Sequence, residues 1–221
     1  MTTDERPVKT RLIPFLVYLV LFFSVWVVWV LAIYPRLVLL GERTLLYALV
    51  NNSLRLVIWV LPVFLYLRYV DHVDPVAYLK LKSNWKIVII VGVAFTLVNF
   101  LLSAAAYGIP PFNSDAVTWN SIIGTSFLIG FVEEIPFRGF VLQKLNERMS
   151  FWAANVISSL LFLLIHFPGW IALHLYNTQT AAIIFVFGFV MAVLLRYTRS
   201  LWGPIVAHSG NDLVSFLILH R

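Results

Sequence analysis

Seven long apolar stretches follow one another along the chain, separated by short polar breaks. They run over Leu12–Tyr34, Leu45–Tyr69, Trp85–Tyr107, from near Val117 into the 140s, Phe151–Phe167, Thr180–Tyr197 and Leu201–Leu219. Each has about the 20 residues that a helix needs to cross a hydrocarbon core. A helix also satisfies its own backbone hydrogen bonds where no water can do so. The pattern predicts an all-α, polytopic transmembrane bundle of about seven helices. The breaks carry turn chemistry: Pro35-Arg36, Gly41-Glu42-Arg43, Pro168-Gly169 and the longer linker over 70–85. Ser150 stands as the N-cap of the fifth helix. The first stretch is too long for the apolar core of a signal peptide, and no small-residue cleavage site follows it.

Composition agrees with the pattern. The chain is 61% hydrophobic and 12% charged, with mean hydropathy +0.91. A soluble domain carries about 25% charged residues. Cysteine is absent, which excludes disulfides, thiolate ligands and a cysteine nucleophile. The net charge of +6 fits loops facing an anionic leaflet better than nucleic-acid binding. Basic residues also set sides. Arg6, Lys9, Arg11, Arg68, Lys80, Lys82, Lys86, Lys144, Arg148, Arg196 and Arg199 fall on the amino-terminal side; Arg36, Arg43 and Arg221 fall opposite. This asymmetry predicts a cytoplasmic amino terminus and, with an odd number of helices, an external carboxyl terminus.

Against this apolar background, Phe131-Val-Glu-Glu-Ile-Pro-Phe-Arg138 stands out. A charged side chain at mid-membrane costs roughly 2.5–3.5 kcal/mol on insertion scales, so three together need partners, water or a function. On a helix Glu134 and Arg138 stand i,i+4 on one face, while Glu133 points about 100° away. Pro136 cannot donate to the carbonyl of Val132, which predicts a kink or a widened turn beside Glu133. The other ionisable groups on late spans are His166, one turn after Phe162, then His208 and Asp212, again i,i+4. Arg55 on the second span is either a snorkelling anchor or the partner of a buried carboxylate.

Helices four and five are joined by a short turn and should be antiparallel neighbours. Glu133 and His166 are symmetric about residues 149–150, so folding there brings both to one depth, roughly 20 Å along the hairpin. His208 lies roughly 10 Å inside the seventh helix. These levels predict a cavity nearer the cytoplasmic side.

Glu133-Glu134-x-x-x-Arg138, Phe162-x-x-x-His166 and His208-x-x-x-Asp212 resemble the three motifs of the CAAX prenyl protease and bacteriocin-processing (CPBP, or Abi) family of intramembrane endopeptidases. The resemblance covers roughly residues 115–219. It implies a catalytic helical core over 115–221, preceded by membrane helices over 1–114. It implies that Glu133 and His166 activate the hydrolytic water, that Glu134 and Arg138 shape the site, and that His208 with position 212 stabilises the oxyanion. Phe162 and Asn211 are candidates for substrate contact. The implied substrate is a peptide or membrane protein at a cytoplasm-facing cavity, processed at a CAAX-type or leader-type bond. In the family that the motifs resemble, asparagine is commoner than aspartate at the position of Asp212, and an ionised aspartate cannot donate to an oxyanion.

The chemistry stands beside the resemblance. Peptide hydrolysis needs a base for water and a donor for the tetrahedral oxyanion. Two histidines and a carboxylate, His166, His208 and Glu133, also make a zinc ligand set with water in the open position. The cofactor is therefore either none or one Zn2+. Neither a His-Glu-x-x-His helix nor a Gly-x-Ser-x-Gly elbow is present. Two other functions remain open: a non-proteolytic membrane scaffold or self-immunity protein, and a small ion or proton transporter. A transporter should show paired broken helices or a repeat, and the sequence shows neither.

Overall fold

The computed structural model describes residues 11–82, 85–108, 114 and 117–215. Arg6, Lys9, His220, Arg221 and the end of the seventh stretch lie outside these residues. The described chain is helical, and among the described residues there is no strand. Helix α1 spans Leu12–Leu40, α2 Leu45–Tyr69, the short α3 Pro75–Tyr78, and α4 Trp85–Tyr107. Helix α5 is a relay of Ser121–Leu128, Ile129–Glu134, Ile135–Val141 and Leu142–Asn146. Helix α6 covers Phe151–Leu173, α7 Thr178–Thr198 and α8 Trp202–Val214.

Five of these helices, α1, α2, α4, α6 and α7, are long and apolar enough to cross a membrane. Among the described residues the expected count of seven is therefore not confirmed. Helix α5 carries Glu133, Glu134 and Arg138, which lower its hydropathy, and α8 is described over only 13 residues. Two expected boundaries also move. The chain does not turn at Pro35-Arg36: the helix continues to Leu40, and the turn falls at Gly41, whose φ of 85° suits glycine. Nor does α6 stop at Pro168, which lies in the first turn of the segment Phe167–Leu173, where its missing N–H costs nothing.

Proline shapes the helices without breaking them. π-helical turns occupy Trp29–Ile33 and Leu56–Val60, just before Pro35 and Pro62, and Ile135–Val141, which contains Pro136. Proline lacks the donor and pushes away the carbonyl one turn back, so the ladder widens there. The widening expected beside Glu133 is found from Ile135 onward. Thr44, Asp74, Ser150 and Asn177 accept hydrogen bonds from backbone N–H groups at the starts of their helices. This agrees with the N-cap role read for Ser150.

The core is aromatic. Phe22, Trp59 and Phe137 are buried and meet edge to face, and Phe140 meets Tyr18 and Tyr66 in the same way, tying α1 and α2 to α5. Helix α8 lies along α4 and the first half of α5. The α5–α8 contact is backbone-close: a Cβ on Gly130 would collide with the Ile205 carbonyl oxygen. Neither backbone can retreat. Gly130→Ala should therefore destabilise by about 1–3 kcal/mol, the usual range for overpacking. A thermal melt in detergent checks this, with the neighbouring exposed Phe127→Ala expected to cost far less.

Candidate active site

Helix α5 delivers Glu133 and Glu134 to two different neighbours, as their angular separation requires. Glu134 is fully buried. Its Oε1 accepts from Arg138 Nη1 at 3.1 Å, which forms the expected i,i+4 pair. The same oxygen lies 2.6 Å from His208 Nδ1 on α8. Arg138 is also buried, its guanidinium stacked 4.1 Å from the Phe162 ring centroid. Gly188 of α7 makes room for it: a Cβ there would come 2.7 Å from Arg138 Nη2 and 3.1 Å from Phe162.

Glu133 turns to the other side. Its Oε1 is 3.4 Å from Arg55 Nη2 on α2, and its Oε2 is 3.8 Å from His208 Nε2. That Nε2 is also 3.8 Å from Asp212 Oδ2. His208 is thus held at Nδ1 by Glu134 and faces two further carboxylates through Nε2. Rings from two helices bracket it, Phe187 at 4.9 Å and Phe162 at 6.1 Å between centroids.

His166 ends the first segment of α6. Its Nδ1 is 3.1 Å from the Phe162 carbonyl oxygen, which leaves Nε2 free of that bond. The ring packs edge-on to Phe162 at 5.3 Å and tilted to Trp170 at 5.6 Å. Among the described residues no hydrogen bond joins His166 to Glu133. Both nevertheless line one cavity of about 920 Å³, together with Phe162, His208, Asn211 and Asp212. Every residue singled out by the motifs lines this cavity except Glu134 and Arg138, which stand behind His208 and Phe162. Asn211 Nδ2 is 3.5 Å from Asp212 Oδ1, a contact within α8.

The cavity lies toward one end of the bundle. Its walls include Asn99 and Ser103 in the second half of α4, Gln179 and Ile183 in the first half of α7, and Ser215 just past α8. These ends all lie away from Lys80, Arg196 and Arg199. Toward the basic loops the helices close over buried Phe140, Leu142 and Leu201. The cavity therefore extends from the carboxylates toward the face opposite the basic loops, and not toward them.

A zinc set is a poor match. Among the described residues no group of three or more His, Asp or Glu side chains converges as a metal cage. One oxygen of Glu133 also faces the Arg55 guanidinium, which repels a second cation.

Several neighbours were not legible as site residues in the sequence. Phe187 and Phe95 are apolar residues on apolar helices and carry no signal. Asn99 is one of the few polar side chains on its span; its Nδ2 donates to the Phe95 carbonyl at 3.1 Å. For Arg55 two readings were open, and the structure selects the carboxylate partner.

With this geometry in place, one known family bears on the site. Residues 115–214 match the family described as Rce1-like, type II CAAX prenyl endopeptidase. Over these residues the chain is similar to that family. The matched Rce1-like region contains all three motifs and begins just before α5. The match supports a membrane-embedded peptidase of CAAX type, and it agrees with the family that the motifs resemble. No curated protein and no solved structure matches the chain.

Proposed function

We propose that this protein is an intramembrane endopeptidase that hydrolyses a peptide bond with water activated by Glu133 and His166. The observation that supports this reading is the opening of Glu133, His166 and His208 onto one cavity inside a helical bundle. Water between Glu133 and the free Nε2 of His166 gives up a proton as it attacks the scissile carbonyl. His208 Nε2 donates to the oxyanion, its ring fixed by Glu134 at Nδ1. Asp212 faces that same Nε2, so its part is to orient the donor rather than to donate itself. The proton held by Glu133 then passes to the leaving amine. Arg138 holds Glu134 in place, and Phe162 separates this inner pair from the cavity.

The deciding experiment is incubation of the purified protein in nanodiscs with prenylated CAAX peptides and leader-type peptides, with products read by mass spectrometry. Cleavage of one class by the wild type and its loss in Glu133→Gln is expected. Wild-type protein that cleaves neither class would end the proposal.

Substrate class is coupled to orientation. Basic loops in the cytoplasm put the cavity mouth on the external side, whereas prenylated chains are anchored at the cytoplasmic face. Reporter fusions at residues 75 and 172 separate these cases. The basic-residue asymmetry predicts 75 inside and 172 outside, which selects leader-type substrates. The reverse result selects CAAX-type substrates and overturns the charge-based topology.

A further inference from the structure

A second cavity, of about 740 Å³, lies at the opposite end of α7 from the catalytic one. It is bounded by the 75–82 linker, the end of α5 and the α7–α8 turn. Three cations line it: Lys80, Arg196 and Arg199. Among the described residues no carboxylate is within ion-pair distance of any of them. Among the described residues the one acid in the wall is Glu147, which bonds Lys144 Nζ at 3.0 Å and the Tyr78 hydroxyl at 2.6 Å.

The cations are held together at a cost. Lys80 and Arg199 adopt left-handed backbone conformations, with φ of 57° and 53°. Such values are uncommon for long side chains. Arg199 closes α7 at the position where glycine or asparagine is usual, and its N–H bonds the Leu195 carbonyl. The two loops are also tied to each other. Leu201 N–H donates to the Lys80 carbonyl at 3.3 Å, and Trp202 Nε1 donates to the Leu81 carbonyl at 2.9 Å. Burial and the neighbouring Arg199 both push the Lys80 ammonium below the usual lysine range. Arg196 is fixed separately, its guanidinium 4.3 Å from the Phe151 ring centroid and 5.5 Å from that of Trp152.

Like charges gathered without a counter-ion call for an anion. Guanidinium groups bind phosphate oxygens in a fork, and lysine adds a point charge. The location narrows the source. The cavity lies at the end of a membrane-length helix, beside exposed Tyr197, and Leu142, Phe151 and Leu195 supply an apolar wall. Aromatic rings at a helix end mark the headgroup level of a bilayer. We propose that Lys80, Arg196 and Arg199 form a binding site for the phosphate of a phospholipid headgroup, separate from the catalytic cavity.

The test is lipid-dependent thermal stabilisation of the purified full-length protein in a neutral detergent. Dihexanoyl phosphatidylglycerol is titrated at fixed ionic strength, with inorganic phosphate as a parallel arm. The variants are Lys80→Asn and Arg199→Asn, singly and together, because asparagine tolerates the left-handed backbone while removing the charge. Lys80→Arg keeps the charge. Arg68→Gln removes an exposed cation at the end of α2, outside the cavity. The short-chain lipid should raise the melting temperature of wild type, Lys80→Arg and Arg68→Gln alike. Each loss of a charged hydrogen bond should weaken its apparent affinity by about tenfold or more. Equal stabilisation of the double variant, an equal loss in Arg68→Gln, or stabilisation by inorganic phosphate but not by lipid would each overturn the headgroup site. Peptidase activity plays no part in the readout, so this outcome is independent of the proposed catalysis.

Discussion

Glu133→Gln should reduce peptide hydrolysis by at least about 10²–10⁴, the usual contribution of a general base. The amide keeps the size of the side chain and removes its basicity. Folding should survive, because a neutral amide is easier to bury than a carboxylate, and Arg55 retains a carbonyl oxygen as acceptor in place of Glu133 Oε1. Arg55 keeps an acceptor but loses its counter-charge, so membrane abundance is measured on the same preparation. His166→Ala should be similarly inactive. The double variant should be little worse than either, since residues acting as one unit are not additive. A Glu133→Gln protein with normal abundance and full biological function would favour the scaffold reading over catalysis.

Arg138→Ala should have the largest effect on stability. Breaking a buried ion pair leaves an uncompensated charge, worth roughly 3–5 kcal/mol. Three features place this site at the upper end. Both partners are almost wholly inaccessible, with side-chain exposures of 1% and 0%. The guanidinium also fills space against Phe162 and Gly188, so its loss leaves a void as well as a charge. Finally, Glu134 Oε1 serves Arg138 and His208 together, and a carboxylate that loses one partner must reorganise around the other. The measurement is a thermal melt in detergent alongside peptide hydrolysis. Both should fall, and Arg138→Lys should recover only part of each, because an ammonium neither forks nor stacks as guanidinium does. A variant that melts like wild type would show that the pair contributes nothing to the fold.

The sequence by itself determined the material of the fold. Apolar stretches near 20 residues, nearly free of charge, leave helices as the only way to satisfy the backbone in hydrocarbon. It also determined local geometry on single helices: Glu134 and Arg138 pair because i,i+4 spacing puts them on one face, and Pro136 widens the turn because it lacks a donor. The motif residues stood out for the same reason, since isolated polar side chains in apolar surroundings are conspicuous.

What only the tertiary structure decided are the partnerships across helices and the direction of the cavity. That Glu134 takes His208, that Glu133 takes Arg55, and that Phe187 faces the histidine ring all depend on how α2, α5, α7 and α8 rotate about their axes. Periodicity cannot supply those rotations in a membrane, because helices that are apolar all round present no polar stripe to mark the face that packs. Depth arithmetic placed Glu133, His166 and His208 near one another, but it could not say which end of the bundle stays open. Large side chains such as Phe140 and Leu201 close the helices toward the basic loops. Asn99, Ser103 and Gln179 line the opening at the other end, and that division exists only once the helices are packed.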